Sequence, residues 1–199
     1  MRKNIISISI IILLVGIFIV TNFTNIGQDE QKTNIIDVTG DTSVEGGSIS
    51  APDAYQLKEG EEAPAFTLKN RSGEEQQAFN HDKPYTLVNF WATWCPPCVK
   101  EMPALHEFQQ QNADQIQVVA VNVTNTETSE EVVYDFLDEG TYEYTILFDE
   151  KDIVYDGYSV INMPTSFLIR TSDRKILKRI NGSMSLEQMQ EHLEDVQSS

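Results

Sequence analysis

The chain has 199 residues, of which 31 are Asp or Glu and 14 are Lys or Arg, giving a formal net charge of −17. Nucleic-acid binding needs a basic footprint, so that balance excludes it, and it also disfavours non-specific adsorption to anionic lipid. The acidity fits selection of basic or neutral protein substrates, although a generally solvated acidic surface explains the same charge.

Met1-Arg2-Lys3-Asn4 precede an almost unbroken apolar run from Ile5 to Val20, continued weakly to Phe23. At about 1.5 Å per residue this run just crosses a hydrocarbon core of about 30 Å. Arg2 and Lys3 come before it, whereas Asp29 and Glu30 are the first charges after it. The positive-inside tendency therefore predicts a cytoplasmic N-terminus over 1–4, a transmembrane signal anchor over 5–23, and export of everything that follows. A removable signal peptide is the competing reading, but no Ala-x-Ala site lies close behind Val20 and no N-terminal Cys is available for lipidation. From 24 to 57 the sequence is polar and acidic, with Gly46-Gly47-Ser48 and Ala51-Pro52 as breakers, and reads as a flexible linker. The remainder, 58–199, is long enough for one core and too short for two.

In that remainder, Phe66 to Lys69 and Gln76 to Phe79 flank Asn70-Arg71-Ser72-Gly73, a hairpin signature. Strands are expected at Thr86 to Trp91 and Gln117 to Val123, with a helix from Pro96 to about Gln111 between them, which makes a βαβ crossover and a parallel pair. Thr128-Ser129-Glu130-Glu131 has capping-box form ahead of a second helix over Val132 to Leu137. A strand at Thr145 to Phe148, a short helix at Lys151 to Tyr158, a hairpin of Thr165 to Arg170 with Lys175 to Asn181, and an amphipathic helix from Ser185 to about Val196 complete the order.

The chemistry is concentrated where the first long strand gives way to helix. The only two cysteines, Cys95 and Cys98, lie there with two residues between them, a spacing that lets a disulfide form and break without backbone movement. Pro96 and Pro97 mark a helix start, because the amides they lack have no intrahelical partner in a first turn. Cys95 then stands at or next to the N-cap, where unpaired amides and the helix dipole favour an anion and lower its pKa from the free value of about 8.5. Cys95 reads as the nucleophile and Cys98, one turn further in, as the resolving thiol. Half of a zinc site would need further ligands, yet His81, His106 and His192 are scattered without ligand spacing. A purely structural bridge closing so short a loop would restrict the unfolded chain little.

Phe90-Trp91-Ala92-Thr93-Trp94-Cys95-Pro96-Pro97-Cys98 resembles the active site of the thioredoxin superfamily. Pro103 falls where those proteins kink the active-site helix, and Met163-Pro164-Thr165 matches their cis-proline loop. Within the superfamily the chain is most similar to the membrane-tethered extracytoplasmic thiol-disulfide oxidoreductases of bacteria, the TlpA, ResA and StoA type. Glu61 to Leu68 resembles the entry to their additional hairpin. The fold this implies is α/β: a thioredoxin fold with a central mixed sheet flanked by helices, an added N-terminal hairpin and a βα insertion, preceded by one transmembrane helix. Asn89 stands where cytoplasmic thioredoxins place a buried Asp that assists proton transfer to the resolving thiol, so that base is missing. Glu101 matches an active-site glutamate of the ResA-like branch and shares the helix face of Cys98. A solvated surface glutamate is its ordinary alternative; if buried, its pKa would rise and it could exchange a proton with Cys98.

Trp94 is expected to cover the active-site surface beside a substrate cysteine, with Pro96 and Pro97 in the same face and Trp91 in the core. Pro164, if cis, would present the backbone of Met163 to an extended substrate by strand addition, against the alternative of a trans proline that simply starts a strand. The resemblance implies a reductase of disulfides in exported proteins that carries no cofactor beyond the Cys95–Cys98 disulfide and no metal. It would be rereduced by a membrane electron donor of the CcdA type and act as a monomer on the extracytoplasmic face of the cell membrane. The substrate would be an apocytochrome c or a protein of spore-envelope assembly, and the Cys-Pro-Pro-Cys motif is closer to the spore-associated members than to the Cys-Glu-Pro-Cys cytochrome branch. A net oxidase or isomerase would use the same residues at a higher potential. A copper-delivery module of the Sco-like kind would need a wider cysteine spacing and a partner histidine, and a peroxide-reducing enzyme would need a pocket before Cys95.

Overall fold

The structure, a computed structural model, describes residues 56–198. The expected cytoplasmic N-terminus, the membrane anchor and nearly all of the linker lie outside the described residues. Among the described residues no helix is long and apolar enough to cross a membrane.

The elements in chain order are β1 (Thr67–Lys69), β2 (Glu75–Gln77), β3 (Tyr85–Trp91), α1 (Pro96–Gln111), β4 (Ile116–Asn122), a 3-10 turn (Thr124–Thr126), α2 (Glu130–Glu139), β5 (Thr145–Phe148), α3 (Ile153–Gly157), β6 (Thr165–Arg170), β7 (Lys175–Asn181) and α4 (Leu186–Gln197). The strands form one seven-stranded sheet in the order β2-β1-β5-β4-β3-β6-β7. β3, β4 and β5 are parallel, as the helical crossovers require, and the flanking strands run antiparallel. This is a thioredoxin fold with a mixed sheet flanked by helices. The hairpin signature holds with shorter strands: Asn70 Oδ1 accepts the amides of Ser72 and Glu74 and Gly73 takes a positive φ of 78°, so the turn extends to residue 74.

Side-chain alternation along β3 divides the core. Leu87 and Trp91 pack with Met102, Leu105 and Phe108 of α1 and Met189 and Leu193 of α4, whereas Val88 and Phe90 pack on the other face with Phe167, Ile169 and Tyr158. Asn89 shares the α1 face, which becomes important at the site. Beyond the β7 edge, Gly60 N–H donates to Ile176 O and Ile176 N–H to Glu61 O, so the entering chain covers an otherwise open edge.

Two caps differ from expectation. The N-cap of α2 falls one residue later than the capping-box pattern predicts, at Ser129 and not Thr128, without a side-chain cap hydrogen bond, and the helix extends beyond Val132 to Leu137 at both ends. Counting from Ser129 places Val132 at the third helical position, and valine has no group to reach back, so the reciprocal pair cannot form. α3 begins at Ile153 rather than Lys151 because the Asp149 carboxylate, buried at the end of β5, accepts the amides of Ile153, Val154 and Tyr155 and fixes the start there.

Tyr158 joins both ends of the second cluster. Its ring meets Phe66, Phe90 and Phe167 at centroid distances of 5.6, 5.4 and 5.1 Å, and its hydroxyl donates to Pro64 O at 2.8 Å. Tyr158→Phe should cost about 1 kcal/mol by leaving that carbonyl unpaired, and Tyr158→Ala about 3–5 kcal/mol by opening a cavity. Urea unfolding checks both; equal losses would mean that the hydroxyl, and not ring packing, holds the cluster.

Candidate active site

β3 delivers the chain to the site at Trp91, whose register partner is Asn122 at the end of β4. A turn then closes with Cys95 N–H donating to Ala92 O at 3.2 Å. Cys95 is the N-cap of α1, with extended φ and ψ of −98° and 98°, and Pro96 and Pro97 occupy the first helical positions. Because neither proline has an amide hydrogen, the first donor to reach the cap is Cys98 N–H, at 3.4 Å from Cys95 Sγ. Cys95 and Cys98 form a disulfide with an S–S distance of 2.04 Å and a Cα–Cα distance of 5.3 Å. Cys95 is 5 % and Cys98 2 % exposed, so the bridge itself is nearly covered, while Trp94 beside it is 54 % exposed. Pro96 and Pro97 are exposed as well. Trp91, by contrast, is fully buried in the core.

The Met163–Pro164 peptide is cis. Pro164 is buried and its carbonyl accepts Gly182 N–H at 2.8 Å, from a residue whose φ of 98° suits glycine. Met163 packs against the cluster that contains both cysteines.

Glu101 is 3 % exposed, so the solvated alternative does not hold. Its position follows from three elements. α1 carries it one turn beyond Cys98 and toward the sheet. Asn89 of β3 and Ser166 of β6 are register partners and share the face it meets, and Asn89 Nδ2 donates to Glu101 Oε1 at 2.8 Å and to Ser166 Oγ at 2.9 Å. Met184 N–H, beyond β7, donates to Glu101 Oε2 at 2.7 Å. Burial disfavours the charged form and pushes its pKa up to about 7, against the opposing pull of the Met184 amide and the Asn89 side chain. Where a strand-borne base was missing, Asn89 thus anchors a carboxylate supplied by the helix. A carboxyl poised near neutrality can take or return the Cys98 proton.

Further residues emerge that local sequence did not mark. Glu127 accepts Thr93 N–H at 2.7 Å, the Thr93 hydroxyl, and Asn122 Nδ2 at 2.8 Å. Thr126 Oγ1 accepts the Trp94 indole N–H at 3.1 Å. The one available signal was topological: a segment leaving the strand beside β3 must end next to the loop that leaves β3. Among the described residues no group of His, Cys, Asp and Glu could hold a metal ion; the redox group is the Cys95–Cys98 bridge.

A disulfide at the N-terminus of a helix, set at the end of a central parallel strand beside a cis-proline, defines a thioredoxin-fold dithiol–disulfide protein. The chain belongs to the Redoxin family, whose profile matches residues 58–196. It is 39% identical over 139 residues to "Thioredoxin-like protein YneN" of Bacillus subtilis, covering 69% of this chain and 80% of that one. It is 35% identical over 147 residues to "Sporulation thiol-disulfide oxidoreductase A" of the same organism, covering 72% and 88%. The crystal structure of StoA from Bacillus subtilis superposes with a TM-score of 0.58 at 33% identity, over 65% of this chain and 96% of that one.

Two predictions follow the site. Glu101 has a folded pKa raised to about 7 from 4.5, so its contribution to stability is fully present below about 4.5 and is lost as pH rises through 7. Urea midpoints of the oxidised protein between pH 4 and 8 should therefore show wild type losing stability relative to Glu101→Gln as pH rises, by up to about 1.4 kcal/mol per pH unit inside that window; parallel curves would show that Glu101 ionises normally. Pro96→His restores an amide donor at the cap, so the Cys95 pKa should fall and the reduction potential rise, by up to about 30 mV for each unit of pKa. Thiolate absorbance and glutathione equilibration measure the two together. A lowered pKa with an unmoved potential would show that thiolate stabilisation does not set the redox balance here.

Proposed function

We propose that this protein is a membrane-anchored thiol-disulfide oxidoreductase that reduces disulfides in exported proteins. The observation that carries the reading is the Cys95–Cys98 bridge with Cys95 as N-cap and the Cys98 amide directed at its sulfur. In the dithiol form, the Cys95 thiolate attacks one sulfur of a substrate disulfide; that S–S bond breaks, the other substrate sulfur leaves as a thiolate, and a mixed disulfide forms on Cys95. Cys98 gives its proton to the Glu101 carboxylate and attacks Cys95. The mixed bond breaks, the second substrate thiol departs, and the Cys95–Cys98 bridge holds the two-electron oxidation. A membrane electron donor of the CcdA type resets it.

Trp94, Pro96 and Pro97 supply the exposed apolar face on which the substrate rests, and the Met163 backbone before cis-Pro164 pairs with an extended segment by strand addition. Of the two substrate classes, an apocytochrome c and a spore-envelope protein, the Cys-Pro-Pro-Cys motif favours the second. The 35% identity to a relative named for sporulation points the same way. The 5–23 segment is read as the anchor that places residues 58–199 on the extracytoplasmic face.

Cys98→Ser removes the resolving thiol and leaves the nucleophile. Expressed as the full chain, it should accumulate mixed disulfides on Cys95 with exported proteins, recovered in the membrane fraction after a salt wash and released by reductant. Adducts only with cytoplasmic proteins, or none, would overturn the reading. Adducts on a shortened chain in the medium would replace the anchor with a cleaved signal.

A further inference from the structure

Of the three residues that follow Thr124, one ties the segment to α3 and two fasten the loop before Cys95. Asn125 Nδ2 donates to Asp152 Oδ2 at 2.6 Å, at the start of α3. The Thr126 hydroxyl donates to Val123 O at 2.7 Å, which leaves its lone pairs to receive the Trp94 indole N–H. Glu127 grips Thr93 at two points, main-chain amide and hydroxyl, while Asn122 Nδ2 holds the same carboxylate from the end of β4. Both ends of the grip rest on paired strands, since Asn122 and Trp91 are register partners and Val123 N–H donates to Trp91 O at 3.0 Å.

Between Trp91 and the cap at Cys95 only Ala92, Thr93 and Trp94 intervene, and the loop's internal restraint is the Cys95 N–H to Ala92 O turn. Trp94 lies half in water and has no core packing to orient it. Ordering a loop residue costs backbone entropy, and charge-assisted hydrogen bonds, stronger than neutral ones, are the contacts best able to offset it. From this geometry we infer that Glu127, with Thr126 beside it, is a positioning residue that fixes Thr93 and Trp94 so that the indole presents one face to a polypeptide approaching Cys95. Its action is on presentation of macromolecular substrate and not on the intrinsic reactivity of the thiol. The inference rests on the disulfide-exchange reading above.

The test compares a large and a small partner for the same sulfur. In the prereduced full chain, Glu127→Ala should slow cleavage of insulin disulfides by up to about 100-fold, the scale a misplaced positioning contact can reach, while Cys95 alkylation by iodoacetamide does not fall. Thr126→Val, which removes the indole's acceptor and the hydroxyl's own bond to Val123 O but leaves the Glu127 grip in place, should act in the same direction, and Glu127→Gln, which keeps an acceptor for the Thr93 amide, should restore most of the insulin rate. Independently of any substrate, the acrylamide-quenchable emission, which comes from exposed Trp94, should lose anisotropy in Glu127→Ala and in Thr126→Val. An unchanged ratio of insulin to iodoacetamide rates with unchanged anisotropy would overturn the inference, as would an equal fall in both rates. Should Glu127→Ala fail to fold, Thr126→Val decides by the same two readouts. Absence of insulin cleavage by wild type would count against the proposed function instead, and the anisotropy would still decide the role of Glu127 and Thr126.

Discussion

The site depends on a helix that begins at a cysteine. An α-helix leaves its first amides without partners, and in α1 two of them are removed outright by Pro96 and Pro97, so Cys98 N–H is left to meet Cys95 Sγ. That leaves a cap able to support a sulfur anion, but with a single donor at the sulfur and hence a moderate stabilisation. The rest of the fold can be read as holding this junction still. β3 brings the chain to it from the centre of the sheet, α1 and α4 pack behind it, and β6 brings the cis-proline alongside.

Burying Glu101 is energetically unfavourable, which is why its surroundings are informative. An unpaired buried carboxylate costs several kcal/mol, and no cation offsets it among its hydrogen-bond partners; instead an amide side chain and a main-chain N–H receive it. Those donors are too few to keep it fully ionised, hence the pKa near 7. The carboxyl lies one turn beyond Cys98 on α1, and a buried group with so strongly raised a pKa is the kind of residue from which acid–base roles are argued.

The strongly acidic charge contributes little to stability by comparison. Its ion pairs are at the surface: Arg71 with Asp138, for example, involves side chains 45% and 64% exposed, and such a pair is worth about 0–1 kcal/mol. What charge does at the site is local and directional, through the carboxylates of Glu101 and Glu127 that accept specific amides.

Sequence alone determined the features that depend on neighbours along the chain. The β-branched and aromatic run of β3 and the proline-marked start of α1 are each specified within a few residues and stand as read, and the Asn-Arg-Ser-Gly turn is present one residue longer than read. The cysteine pair needed nothing more, since its chemistry lies in its spacing and its cap. Whether Glu101 was solvent-facing could not be read locally, because that depends on Asn89 and on Met184, twelve and eighty-three residues away. Glu127 looked like one more acid in a polar run until the parallel pairing of β3 with β4 placed it against Thr93, thirty-four residues back. The start of α3 likewise waited on an Asp149 side chain folding over the turn. Helix periodicity and turn chemistry act over a few residues, whereas burial and the partners of a buried charge are fixed only when strands distant in sequence come into register.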